Sequence, residues 1–161
     1  MGLHHLDHYN IEVVNLEETI KFYVEVLGLY VGERPPLPFP GAWLYCENDQ
    51  PTIHLIGTEQ GEPNREKIPS GRLHHICFQT TGLEEVRARL VKHNIKFNTV
   101  VLPRVHNTQF FMQDPNGINV ELNFPAEETR PEDLEMMKNK GKEQFLAVPG
   151  EVQRASTAPA S

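Results

Sequence analysis

Apolar and polar positions first alternate along the chain and then change period. In HLDHYNIEVV, Tyr9, Ile11 and Val13 share one face and His8, Asn10 and Glu12 the other, which predicts a half-buried strand. Ile20, Tyr23, Val24 and Leu27 then recur at i, i+3, i+4 and i+7. That spacing predicts a helix capped at Asn15 with Glu18 three residues on, and stopped at Gly28. Three further strands are predicted at LYVGER, AWLYCE and TIHLIG, separated by the Pro-rich RPPLPFPG and the turn ENDQP.

The same order then repeats. Setting LDHYNIEVVNLEETI over LHHICFQTTGLEEVR pairs Leu6 with Leu73, His8 with His75 and Glu17-Glu18 with Glu84-Glu85, at a constant offset of 67 residues. At that offset TIHL falls on NVEL, so His54 corresponds to Glu121. The second copy predicts a strand at LHHICFQT and a helix GLEEVRARLVKHN behind a Thr81-x-x-Glu84 capping box. Strands follow near KFNTVVL and TQFFMQ, then the turn DPNG and a last strand INVELNF. Ile76 and Phe78 are predicted to face the helix, with His75, Cys77 and Gln79 opposite. In the last strand Val120, Leu122 and Phe124 alternate with Asn119, Glu121 and Asn123.

This gives an α+β chain of paired βαβββ modules. The expected boundaries are 3–57 for the first module, 58–71 for a polar connecting loop and 72–125 for the second module. Residues 126–161 follow as a C-terminal helix, beginning near Pro131 and running through Leu134 to Phe145, and a small, polar tail with the composition of a disordered segment. In each module the helix would cover the apolar strand face and leave the other face free. His8, His54, His75 and Glu121 all lie on free faces, so two modules related by a pseudo-twofold would turn them toward a common point. Three imidazoles and one carboxylate suit a divalent transition metal such as Zn, Ni, Fe, Mn or Co and do not suit Ca or Mg.

Composition narrows the partners. The 161 residues carry 15 Lys and Arg against 22 Asp and Glu, a formal charge of -7, with no basic cluster, which argues against nucleic acid. No run of about 18 apolar residues occurs to cross a bilayer, and a soluble, cytoplasmic protein is expected. Cys46 and Cys77 sit in strand-like runs and are expected to be reduced, buried thiols. His4, His5 and His74 lie beside the ligand positions in sequence and read as supporting or surface residues. Arg34, Arg72, Arg104 and His106 fall in loops or strand ends, where they could meet an anionic substrate. Trp43, Phe39, Phe110 and Phe111 could wall a pocket or fill the core.

Taken together, LDHYNIEVVNLEETIKFYVEVLGL, GRLHHICFQ and DPNGINVELNF resemble the vicinal oxygen chelate superfamily over roughly Leu3 to Phe124. That superfamily includes glyoxalase I, fosfomycin-resistance enzymes, methylmalonyl-CoA epimerase and extradiol dioxygenases. The resemblance implies a sheet folded around a metal, with His8, His75 and Glu121 as ligands, and a homodimer acting on a small molecule. His54 departs from it: glyoxalase I has a second Glu at that place, the epimerases a Gln, and extradiol dioxygenases use only two His and one carboxylate. A glyoxalase-like lyase or isomerase with Glu121 or His54 moving a proton is the leading expectation. An extradiol-type dioxygenase with Fe(II) or Mn(II) comes second, and a metal-free drug-binding protein third.

Overall fold

Alternation in the first strand is realised as β1 (Tyr9–Val13), in which Ile11 and Val13 are buried and Asn10 and Glu12 exposed. The computed structural model to which β1 belongs describes residues 5–58, 73–102 and 104–140, and it divides into two units, Met1–Pro69 and Ser70–Ser161. His4, Arg72, most of the connecting loop and the tail beyond residue 140 lie outside the described residues.

In the first unit, β2 (Tyr30–Val31), β3 (Gly41–Tyr45) and β4 (Pro51–Gly57) join β1 in a four-stranded sheet of order β1-β4-β3-β2. β1 runs parallel to β4, and β2, β3 and β4 pair antiparallel. Only Tyr30–Val31 of the predicted LYVGER strand pairs, since the chain then enters the Pro-rich segment, where proline cannot donate to a ladder. The helix α1 (Leu16–Lys21) starts as expected: Glu18 N donates to Asn15 Oδ1 at 3.0 Å, and Asn15 Nδ2 returns a bond to Glu18 Oε2 at 3.0 Å.

The buried stripe of this helix differs from the predicted one. After Lys21 the helix widens into a π turn over Phe22–Val26, with Leu27 N reaching back to Phe22 O. The wider turn shifts the inward face, so the buried residues are Thr19, Phe22, Tyr23 and Val26, whereas Ile20, Val24 and Leu27 are only half-buried. Thr19 is tolerated inside because its hydroxyl donates to Asn15 O at 2.8 Å. Gly28 ends the segment at φ +85°, as its position predicted.

The second unit repeats the topology. β5 (Ile76–Gln79), β6 (Phe97–Val101), β7 (Thr108–Gln113) and β8 (Asn119–Phe124) form a sheet of order β5-β8-β7-β6, with β5 parallel to β8 and the others antiparallel. Its core holds Leu83, Val86 and Leu90 of α2 (Leu83–Lys92) against Phe110, Met112, Val120 and Phe124. Phe110 is therefore core rather than pocket wall.

The Thr81-x-x-Glu84 box is not formed. Gly82 takes the N-cap at φ +79°, and Leu83 N donates instead to Glu128 Oε2 at 2.7 Å, so a carboxylate distant in sequence caps α2. The DPNG turn is built around buried Asp114, whose Oδ1 accepts from Asn116 N and Ile118 N, both at 2.8 Å. The C-terminal helix α3 (Pro131–Lys140) is docked on its own unit: buried Asp133 accepts from Arg87 Nη2 at 2.8 Å and from Arg130 Nε at 2.9 Å. The cysteines depart from expectation, with Cys77 exposed and Cys46 half-buried just past β3; both are free thiols.

Candidate metal centre

The free face of each sheet carries two of the four predicted ligands. In the first unit, pairing sets Asn10, His54 and Trp43 in one row across β1, β4 and β3. His8 lies just ahead of β1, two residues before Asn10 and hence on the same side. Its ring stacks on His54 with centroids 3.7 Å apart, and Trp43 stacks on His54 at 4.1 Å and 3°. Two rings that close to parallel with His54 cannot share one of its faces, so the imidazole is sandwiched.

The nitrogens of this pair are already sorted. His8 Nδ1 is bonded to Asp7 Oδ2 at 2.6 Å, which leaves Nε2 as the nitrogen for a ligand; the same bond, first among the causes, holds the Asp7 carboxyl below the usual carboxylate range. His54 bonds to the Pro51 backbone, while its Nε2 is buried and has no hydrogen-bond partner among the described residues. Burial, and after it the neighbouring His8, hold the His54 imidazole below the ordinary histidine range, so the ring favours its neutral, electron-donating form. Anchoring one imidazole nitrogen on a carboxylate or carbonyl is how proteins orient histidine toward a metal.

In the second unit His75 Nε2 lies 2.7 Å from Glu121 Oε2. Glu121 is only 5% exposed, and such a carboxyl needs partners. Its other oxygen, Oε1, accepts a short bond from Gln109 Nε2 on the adjoining strand. The ring of Phe111, the register partner of Glu121, meets His75 edge-on at 5.8 Å. Cys77 is the partner of Glu121 on the other side; burial of its sulfur, and then the carboxylate, push the thiol up to about 12. His74, the repeat equivalent of Asp7, bonds His75 through their Nδ1 atoms at 2.9 Å. Because β5 begins only at Ile76, strand alternation does not turn His74 away from His75.

The donor chemistry fits a divalent transition metal. The first unit offers two imidazoles with one nitrogen fixed and one open. The second offers an imidazole and a carboxylate close enough to share a proton that a cation would displace. Neither unit by itself gathers three His, Cys, Asp or Glu residues able to hold a metal among the described residues.

The remaining predicted residues fall into two groups. Trp43 and Phe111 are in contact with ligand positions. Arg34 is engaged elsewhere: its Nη2 donates to Phe39 O at 2.9 Å and its guanidinium lies over the Phe39 ring. Arg104 and His106 are exposed on the β6–β7 loop, both at positive φ, with His106 O accepting from Thr129 Oγ1 at 2.6 Å. Asp7 and Gln109 are not among the residues the sequence pattern predicts for the site. Adjacency to His8 could have signalled Asp7, whereas Gln109 reaches Glu121 only through the β7–β8 register.

A sequence model of the Glyoxalase/Bleomycin resistance protein/Dioxygenase superfamily matches residues 5–122. The chain is similar to Glyoxylase I 4 of Arabidopsis thaliana, 29% identical over 125 residues that cover 73% of this chain and 68% of that protein. It is similar also to the mitochondrial methylmalonyl-CoA epimerase of Bos taurus, 28% identical over 133 residues, covering 75% and 74%. Among solved structures, the glyoxylase/bleomycin resistance protein/dioxygenase domain from Frankia sp. EAN1pec matches with a TM-score of 0.62 at 20% identity, over 77% of this chain and 99% of that domain. That likeness bears on the fold alone, which is the α+β vicinal oxygen chelate fold.

Proposed function

Since the chain belongs to the Glyoxalase/Bleomycin resistance protein/Dioxygenase superfamily, whose members are mostly enzymes and typically use divalent metals, we propose that it is a metal-dependent lyase or isomerase of the glyoxalase type. Its substrate would be a small molecule that chelates through two neighbouring oxygens. His8, His54, His75 and Glu121 are the proposed ligands of one Zn, Ni, Fe, Mn or Co ion. The observation that carries this reading is the His8–His54 stack, in which each ring has one nitrogen anchored while the other is left for a ligand.

A bound metal would supply Lewis-acid polarisation of a chelated carbonyl. Glu121 is the proposed proton carrier beside that carbonyl, and Gln109 keeps one of its oxygens fixed while the other is free to exchange partners. His54 Nε2, neutral and open, takes that role where it does not ligate. Trp43 and Phe111 are proposed to flank the substrate, and Arg104 and His106 to donate hydrogen bonds to it from the β6–β7 loop. Arg34 would join them only by releasing Phe39. The two modules are proposed to span residues 3–57 and 72–125, in a homodimer located in the cytoplasm. Among the described residues no helix is long and apolar enough to cross a membrane.

Held by His8, His54, His75 and Glu121, an ion would keep room for a substrate's two oxygens, the reading that favours redox-neutral chemistry. Three ligands would leave a further position for oxygen, as in ring-cleaving dioxygenation with Fe(II) or Mn(II) and His54 or His106 as acid or base. The aromatic surface of Trp43 and Phe111 suits that second reading. The test is to load the purified chain with Ni(II), Co(II) or Fe(II) and follow it with 2-oxoaldehyde–thiol adducts and with catechols in an oxygen electrode. Turnover without oxygen uptake supports the lyase or isomerase. Oxygen consumption restricted to the Fe(II) form replaces it with the dioxygenase.

A further inference from the structure

The first sheet holds His54 by its ring faces. Trp43 and His54 are register partners on β3 and β4, and their rings lie 4.1 Å apart at 3°. Neighbouring strands are about 4.8 Å apart, so the two rings lean together instead of standing over their own backbones. His8 covers the other face of His54 at 3.7 Å and 22°.

The row is backed on the β2 side. Gly32 N donates to Trp43 O at 3.1 Å, which makes Gly32 the next residue in the row. A side chain is excluded there, because a Cβ on Gly32 would collide with the ring of Tyr45. Tyr45 is tethered in that place: its hydroxyl donates to Glu33 O at 2.7 Å, and its ring stacks on Tyr30 with centroids 5.4 Å apart. Gly32 is thus required by the close approach of an aromatic ring that closes the row behind Trp43.

A hydrogen bond to one nitrogen does not fix an imidazole, since the ring can still swing about that bond on its soft χ2 torsion. His54 has one such bond, to the Pro51 backbone. A flat ring against each face removes the swing, and offset or parallel aromatic pairs hold their planes where an aliphatic neighbour would not. Nε2 is buried without a hydrogen-bond partner among the described residues, so no protein group aims it. Its direction is set by the stack. A group that carries protons to and from a substrate has to exchange partners, whereas a resident ligand gains from being held still.

We propose that Trp43 is a positioning residue, whose indole plane fixes the His54 imidazole so that Nε2 acts as a standing metal ligand rather than as a mobile base. This rests on the metal-dependent reading above and narrows the part of His54 within it.

The test uses the full chain without substrate. Trp43→Phe keeps a plane beside His54, whereas Trp43→Leu and Trp43→Met keep apolar bulk without one; urea titration establishes that each is compared folded. Co(II) affinity is measured by chelator competition, and the cobalt bands are recorded. Trp43→Leu and Trp43→Met should each bind cobalt about tenfold more weakly with altered bands, and Trp43→Phe should stay within about twofold of wild type with its bands unchanged. Proton NMR of the metal-free chain gives a second readout: the His54 ring protons, shielded by the indole, should move downfield in the Leu and Met variants and much less in the Phe variant. A Trp43 that only walls the substrate would leave all of these unchanged. Wild-type cobalt affinity and bands in the Leu or Met variant, equal losses in all three variants, or unmoved His54 resonances overturn the proposal while leaving the metal reading intact. A wild type that takes up no cobalt overturns the metal reading, and the role of Trp43 with it.

Discussion

The two units share a topology but hold the side chains proposed as ligands differently. In the first, the imidazoles of His8 and His54 are stacked and each has a nitrogen to spare, His8 being anchored on the exposed Asp7. In the second, His75 and Glu121 are bonded to one another, Gln109 holds the carboxylate and His74 stands where the first unit has Asp7. One half leaves an imidazole nitrogen open, whereas in the other the two ligand-type groups are bonded to each other. A repeat can thus keep its strand order while the chemistry of equivalent positions diverges, His54 against Glu121 and Asp7 against His74.

That difference can be broken at its strongest point first. Glu121→Ala removes the one carboxylate among the four ligand positions and should lower metal affinity by more than about a hundredfold, measured by competition with a chromogenic chelator. His54→Ala should cost nearly as much if the open Nε2 is a ligand, and little if it serves only as a base.

The supporting residues sharpen the contrast. Asp7→Asn and Gln109→Leu should each weaken metal binding by about ten- to a hundredfold, with His74→Ala weaker in effect than Asp7→Asn because an imidazole partner polarises its neighbour less than a carboxylate does. The Co(II) spectrum separates these from mere loss of fold.

Smaller effects concern how each unit is held together. Asp133→Ala removes the buried carboxylate shared by Arg87 and Arg130, which keep the exposed Glu84, and should destabilise the second unit by about 2 kcal/mol in urea titration. Asn15→Ala removes the cap of α1 and should cost about 1 kcal/mol, confined to the first unit. Equal losses in both units from either variant would contradict the division drawn here.

Much of this arrangement is legible in the sequence because it depends on period-two alternation and on a constant offset. Those two signals locate the eight strands, pair His8 with His75 and His54 with Glu121, and put all four on free faces. What was not legible depends on contacts distant in sequence or on local backbone variants. The π turn at Phe22–Val26 shifted the buried stripe of the first helix, and no residue pattern marks such a turn. The cap of α2 came from Glu128, 45 residues beyond Leu83, where a local Thr81 box looked sufficient. Gln109 reaches Glu121 only once the register of β7 and β8 is set.

The central claim is that the two half-sites make one metal centre, and metal stoichiometry by mass spectrometry tests it most directly. Wild type, His8→Ala/His54→Ala and His75→Ala/Glu121→Ala would be purified without tag or chelator and loaded with one metal at a time. One ion per chain in wild type and none in either double variant is the expected result. Full retention of the ion by either double variant, or a wild type that cannot be loaded, would contradict it.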